Sequence, residues 1–279
     1  MLRLADMERR LCVLHANCQG EPLAALLRLC PEFAARHDIR LFTNYTREPV
    51  PDEALASCGL FLYQHLGPQW GDLSSEALLR KIPREATALC VPNMFFMGYW
   101  PLWHNAPGFD FRDRFLDHLL DMGLSKTEIL HLYLRTDLAR KYDLQALLDE
   151  SLERERRRQA HTPVRYLDAV LAGFREKMLF NTVNHPGPEL MALAARGVLA
   201  ELGLTAPPEA DLLSSARLFP EFQMPIHPQV AEFLGLPFAG PDTEYRVFGK
   251  KKTFAQYAEA YVDCRLLGID DFTAYLHLR

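Results

Sequence analysis

No apolar run in the 279 residues approaches the roughly 18 needed to span a bilayer. Arg3, Asp6, Glu8, Arg9 and Arg10 precede the first apolar stretch, and Leu11–Ala16 is too short for a signal-peptide core, so a cytoplasmic protein is expected. Without secretion, the sequon Asn44-Tyr45-Thr46 carries no meaning. There is no excess of positive charge. Lys and Arg number 31 against 36 Asp and Glu, a formal net charge of −5 that argues against a nucleic-acid partner. Metal signatures are missing too: no His-Glu-x-x-His, no Cys-x-x-Cys and no cysteine-rich zinc pattern. So are the phosphate loop Gly-x4-Gly-Lys-Ser/Thr and, at the first turn, the dinucleotide fingerprint Gly-x-Gly-x-x-Gly. Cys18 is followed six positions later by Ala24 rather than arginine, which removes the cysteine-phosphatase loop. Repeats and low-complexity tracts are absent.

What is present is an alternation of strands and helices. The apolar runs Leu11–His15, Ile39–Phe42, Gly59–Gln64 and Ala86–Val91 read as buried strands, with helices from about Glu21 to Cys30, Asp52 to Ser57 and Ser74 to Lys81 between them. Nearly continuous apolar strands separated by helices imply a parallel sheet covered on both faces. From about Arg112 the periodicity is helical. Ser125-Lys126-Thr127-Glu128 has the form of a capping box, and Leu144, Leu147, Leu148 and Leu152 form a stripe leading into a charged end at Glu153–Arg158. A further stripe runs Leu167, Val170, Leu171, Phe174, Met178, and another follows Pro188. The expected fold is α/β: an N-terminal parallel sheet of about four strands with flanking helices, then a mainly helical C-terminal half packed over the sheet edge. The expected division is 1–110 and 111–279.

Parallel sheets bind ligands at the carboxyl ends of their strands. Three expected strand ends carry polar groups here: Asn17-Cys18-Gln19, Gln64-His65 and Asn93. Of six cysteines, Cys12, Cys30, Cys58, Cys90 and Cys264 sit mostly in apolar runs, where a free thiol behaves as a small hydrophobe. Cys18 sits instead at a strand–helix turn, beside free backbone N–H groups at the positive end of a helix, which favours a thiolate or an oxyanion. Cys18 is therefore the candidate nucleophile, against the alternative of a structural cysteine. His185, in the turn Asn184-His185-Pro186 between two helical stripes, is the candidate base, against a capping or surface role. His65 and His104 also hold plausible loop positions. Asn17, Gln19, Gln64 and Asn93 are amides able to donate to an oxyanion or simply to satisfy loop backbone. The aromatic run Met94–Trp103, Tyr99 within it, could wall a pocket or pack a core. Lys250, Lys251 and Lys252, before a helix starting near Thr253, form a weak phosphate-binding signal.

Ala16-Asn17-Cys18-Gln19 after a buried strand resembles the Gly-Asn-Cys-Gln signature of the WcbI-like capsule polysaccharide biosynthesis family. Tyr63-Gln64, Pro92-Asn93-Met94-Phe95-Phe96 with Gly98, Tyr99 and Pro101, and Asn181–Pro186 are similar to its later blocks. Pro225–Val230 with Leu234-Gly235-Leu236 resembles its closing segment. More distantly, the N-terminal part resembles SGNH-type esterases, with cysteine where serine would stand. Ala16 departs from the glycine often found in the family and disfavours a positive φ at that turn.

The resemblance implies a coenzyme-A-binding acetyltransferase acting on a polysaccharide or its sugar precursor, with no metal. In that reading Cys18 attacks acetyl-coenzyme A, His185 is the base, and Gln19 assists. Asn17, Gln64, Asn93 and Asn184 bind oxyanion or substrate, and Tyr99 faces the coenzyme. Lys250–Lys252, assigned to the coenzyme's phosphates from their charge alone, lie in the last forty residues, which no family block covers. An acyl esterase using the same residues, or a non-catalytic coenzyme-A or glycan-binding protein, remains as an alternative.

Overall fold

A computed structural model describes residues 9–106, 109–215 and 221–279. The chain forms two compact units. The first comprises Met1–Phe95, Arg154–Ala172 and His185–Leu218; the second comprises Phe96–Glu153, Gly173–Asn184 and Phe219–Arg279. Each is thus drawn from three stretches of chain, where the sequence suggested one cut at residue 110.

The first unit is built on a four-stranded parallel sheet: β1 (Arg10–Ala16), β2 (His37–Thr43), β3 (Leu60–Tyr63) and β4 (Thr87–Cys90), in the order β2-β1-β3-β4. The helices are α1 (Gly20–Arg28), α2 (Pro31–Arg36), α3 (Asp52–Ser57) and α4 (Ser75–Leu79). Cys12, Val13, Leu14, His15 and Ala16 are all buried, as a strand covered on both faces requires. On one face Val13 and Phe61 join Ala54, Leu55 and Leu78 from α3 and α4. Against the other lies α1, which also packs on the helix Pro188–Glu201. Gly20 permits that approach: a methyl group there would come within 2.7 Å of Leu41 and 2.9 Å of Ala16. Ala16 itself is not among the positive-φ residues, so its side chain costs the turn nothing.

The strand order has a consequence for function. From β1 the chain moves outward to β2 on one side, then returns to place β3 on the other, so its direction reverses between β1 and β3. Open α/β sheets bind ligands in the crevice beyond the carboxyl ends of the strands at such a reversal. Asn17 and Cys18 leave β1 there, and Gln64 leaves β3.

The second unit is helical, with two antiparallel strand pairs, Trp103–His104 with Arg112–Asp113 and Tyr245–Val247 with Lys250–Lys252. Its core is aromatic: Phe96 packs on Tyr99, Phe174 and Phe180. The helix Lys126–Arg135 opens with the capping box Ser125/Glu128. The helical stripe that begins at Leu167 stops at Gly173, short of Met178. No helix among the described residues is long and apolar enough to cross a membrane.

Candidate active site

At the carboxyl ends of β1, β3 and β4, the side-chain amides bond to backbone as well as to one another. Asn17 Oδ1 accepts the Gln19 N–H at 2.9 Å, and the Asn17 carbonyl accepts the Gly20 N–H at 2.8 Å, which turns the chain from β1 into α1. Gln64, buried, accepts the Asn17 N–H on Oε1 at 2.8 Å and donates from Nε2 to the Pro92 carbonyl at 3.0 Å. Gln19, also buried, grips the Met94 peptide from both sides, donating to its carbonyl at 2.7 Å and accepting its N–H at 3.1 Å. Asn44, at the end of β2, reaches Gln64 Oε1 at 3.5 Å. Asn17 Nδ2 donates to Asn93 Oδ1 at 3.2 Å.

Because each clasp ends on backbone, the amide orientations are fixed. A backbone N–H can only donate and a carbonyl only accept, so the Gln19 N–H selects Oδ1 of Asn17 and leaves Nδ2 for Asn93. Asn93 must then present Oδ1 to it. Asn93 Nδ2 is thereby left without a protein acceptor among the described residues. Gln19 and Gln64, by contrast, are committed to holding the loop that carries Asn93. Their hydrogen bonds to that loop run to the backbone of Met94 and Pro92.

Cys18 is half-buried at the turn between β1 and α1. Burial pushes its thiol up to about 11, against a smaller opposing pull from the backbone N–H groups of Cys18 and Gln19. The expectation that the turn favours a thiolate fails at this point: two amides do face the sulfur, but desolvation outweighs them. His185 lies in the same unit and is half-buried. Burial lowers it to about 4, so it is neutral at pH 7. It precedes by three residues the helix Pro188–Glu201 that packs on α1. Asn184 belongs to the second unit, where it accepts a hydrogen bond from Thr182.

The groups expected to face a coenzyme lie in the second unit as well. Tyr99 is fully buried, and its hydroxyl donates to the carbonyls of Phe174 at 2.6 Å and Lys177 at 3.0 Å. A ring so enclosed packs the core and offers no surface to a cofactor. The lysine run forms a strand, not a loop. Lys250 and Lys252 reach the carbonyls of His277 and Arg279, and Lys251 pairs with Glu244. The following helix, Phe254–Leu266, is closed by its own capping box from Thr253 and Gln256. His104 bonds Asp117 at 2.9 Å.

Two participants escaped sequence reading. Asn44 was visible only as a sequon, although it directly follows a strand. Glu155 sat in what read as a solvated charge run, yet it is 1% exposed and accepts the Phe95 N–H at 3.0 Å. No group of three or more His, Cys, Asp or Glu side chains among the described residues is arranged to hold a metal ion.

The family model of the polysaccharide biosynthesis enzyme WcbI matches residues 11–207. The chain belongs to the WcbI family. The match spans the whole amide cluster, Cys18 and His185, and stops before the lysine run. A solved structure of WcbI, described as a novel polysaccharide biosynthesis enzyme, superposes with a TM-score of 0.71 at 21% identity. It covers 98% of this chain and 91% of its own. That structure is described as the native protein without a disulfide bond between coenzyme A and one of its cysteines. No curated protein matches the chain.

Proposed function

We propose that this WcbI-family enzyme transfers an acyl group from coenzyme A to a sugar hydroxyl, with Cys18 as nucleophile and His185 as base. The observation that carries the reading is the amide cluster. It holds Cys18 at the sheet's reversal point with backbone N–H groups facing its sulfur, and it turns one N–H-bearing face of Asn93 toward no protein acceptor. The description of the solved WcbI structure names coenzyme A and a cysteine of that protein together, as two groups not disulfide-bonded there, and this is the support for a thiol as the meeting point.

The resting pair is a neutral thiol and a neutral imidazole. In the first half-reaction His185 takes the Cys18 proton as Sγ attacks the thioester carbonyl. Asn93 Nδ2 and the turn's N–H groups stabilise the oxyanion. The tetrahedral adduct collapses by breaking the bond to the coenzyme sulfur, which leaves as a thiol with the proton from His185. Exchange of one thioester for another is close to balanced, which suits cysteine. In the second half-reaction His185 deprotonates the sugar hydroxyl, its oxygen attacks the acyl-cysteine, and Sγ leaves and recovers the proton.

Peptide mass spectrometry after incubation with acetyl-coenzyme A tests this. An acetyl group is expected on the peptide containing Cys18, discharged by a hydroxyl acceptor and absent from Cys18→Ala. Transfer to a sugar by Cys18→Ala at the wild-type rate would overturn the acyl-cysteine. Discharge to water alone would reassign the enzyme as an esterase.

A further inference from the structure

Beside the loop that carries Asn93, the first unit holds an arginine in a fixed pose. Glu155, buried near the end of the helix Leu144–Gln159, accepts both the Phe95 N–H and the Tyr166 hydroxyl on Oε2 at 3.0 Å. Its other oxygen accepts from the Arg158 guanidinium. That guanidinium lies over the Phe95 ring, 4.8 Å from its centroid, and the side chain stays 34% exposed. A buried carboxylate and an aromatic face together fix an arginine beside a ring two residues from Asn93. A guanidinium carries five N–H donors, more than Glu155 uses.

One turn further, the His161 N–H donates to the Arg158 carbonyl at 3.2 Å. The His161 ring stacks on His65, with centroids 3.5 Å apart and planes 10° from parallel, and both residues are exposed. The stack is anchored from both sides on Cys90. Thr162 Oγ1 donates to the Cys90 carbonyl at 2.8 Å, and the His65 backbone N–H donates to the Cys90 sulfur. His65 directly follows Gln64, the buried amide that holds Asn17.

We infer that Arg158, His65 and His161 form an anion subsite for the phosphoryl group of a phosphorylated substrate. Two parallel imidazoles in contact cannot both take a proton without repulsion, and a doubly charged oxyanion at their edges removes that cost. The arginine supplies the planar fork suited to phosphate oxygens. Glu155 offsets part of the Arg158 charge, so an anion would be held by the guanidinium N–H donors that Glu155 does not use and by the edges of the two imidazoles. The inference rests on the acyl-transfer reading for its ligand, since coenzyme A and an activated sugar both carry phosphoryl groups.

Isothermal titration separates the two. Wild type, Arg158→Gln and the double variant His65→Gln/His161→Gln are titrated with inorganic pyrophosphate, coenzyme A, pantetheine and glucose 1-phosphate. The double variant leaves the Glu155 network intact, so its result stands even where Arg158→Gln fails to fold. Pyrophosphate is expected to bind wild type and to weaken at least tenfold in the double variant. A matching loss for coenzyme A but not pantetheine identifies the coenzyme's phosphates as the occupant; a matching loss for glucose 1-phosphate identifies the sugar's. Equal affinities for every phosphorylated probe in wild type and the double variant would overturn the subsite. Pyrophosphate bound by wild type alone, with no coenzyme A bound, would uphold the subsite and remove the acyl-transfer reading.

Discussion

Asn17 Nδ2 donates to Asn93 Oδ1 across the carboxyl ends of β1 and β4. One end of that contact is fixed by the Gln19 N–H on Asn17 Oδ1, the other by Gln19 and Gln64 holding Met94 and Pro92. A chain of forced donor and acceptor choices thus runs from the backbone of α1's first turn to a single side-chain N–H group. Electrostatic catalysis depends on donors aimed before the charge develops, and in the proposed reaction Asn93 Nδ2 is such a donor.

Replacing Asn93 by Ala is expected to lower kcat for acyl transfer by roughly 10²–10³-fold with little change in KM, the usual effect of deleting one oxyanion donor. Stability should fall little, because the loss is one hydrogen bond at a half-buried site. Release of free coenzyme A thiol, followed at varied acetyl-coenzyme A, measures both constants. A rise in KM at constant kcat would assign Asn93 to ground-state binding instead.

Gln64→Leu should act on the fold before the chemistry. It leaves the Asn17 N–H and the Pro92 carbonyl without their partner in a buried setting. Each orphaned group costs about 1–3 kcal/mol, so the urea midpoint should drop clearly. An unchanged midpoint would mean that water replaces the amide.

At Gly20 even one methyl group is too many. Its nearest neighbours would be Leu41 and the Cβ of Ala16, both inside 3 Å, and the second sits on the strand itself. Gly20→Ala should push α1 from the sheet, at a cost of roughly 1–3 kcal/mol, and move the amides that face the Cys18 sulfur. Gly20→Ala combined with Ala16→Gly should recover part of the loss. No recovery in the double variant would place the clash at Leu41.

Much of the first unit was legible because a buried parallel strand announces itself by apolar runs such as Cys12–Leu14 and Leu60–Leu62. Polar residues immediately after those runs marked Asn17, Cys18, Gln64 and Asn93. Their roles were not legible. An amide that donates to an oxyanion and one that clasps a peptide look alike in sequence, and only the partners of Gln19 and Gln64 tell them apart. Tyr99 failed for a related reason: an aromatic run fits a core and a pocket wall equally. Glu155 was hidden by its charged neighbours, since nothing in the run Glu153–Arg158 shows which carboxylate turns inward. The thiolate expected at Cys18 took the helix terminus into account but not the desolvation that opposes it.

Acid should destabilise the protein through its buried histidines. Burial holds His15, His185 and His227 at about 4, below the roughly 6.5 of an unfolded chain. The unfolded state therefore binds more protons, and the stability these groups contribute is complete above about pH 6.5 and lost as pH falls toward 4. Asp113, raised to about 6 by burial, works in the opposite sense: its contribution is present below about 4 and lost as pH rises through 6. Burial raises Glu155 as well, in the sense of Asp113, and lowers His37 and His65 in the sense of the other histidines. The histidines prevail, and acidification brings a net loss. Urea midpoints between pH 7 and 4.5 should fall, and His15→Leu should flatten the slope. A flat wild-type profile would show that these imidazoles take up protons without unfolding.

The resting state of Cys18 is open to direct measurement. With the thiol at about 11 and His185 at about 4, the proton stays on sulfur across the neutral range, and no thiolate–imidazolium pair forms before substrate arrives. The thiolate fraction near pH 8 is then on the order of 10⁻³. Alkylation by iodoacetamide, read on the Cys18 peptide, should rise about tenfold per pH unit from 7 to 10 without the plateau that an ordinary thiol reaches near 9. The other five cysteines are buried and should label slowly throughout. A plateau at or below pH 8 would mean that an ion pair with His185 already exists in the free enzyme. Loss of the low-pH reactivity in His185→Ala would then identify the imidazole as its source.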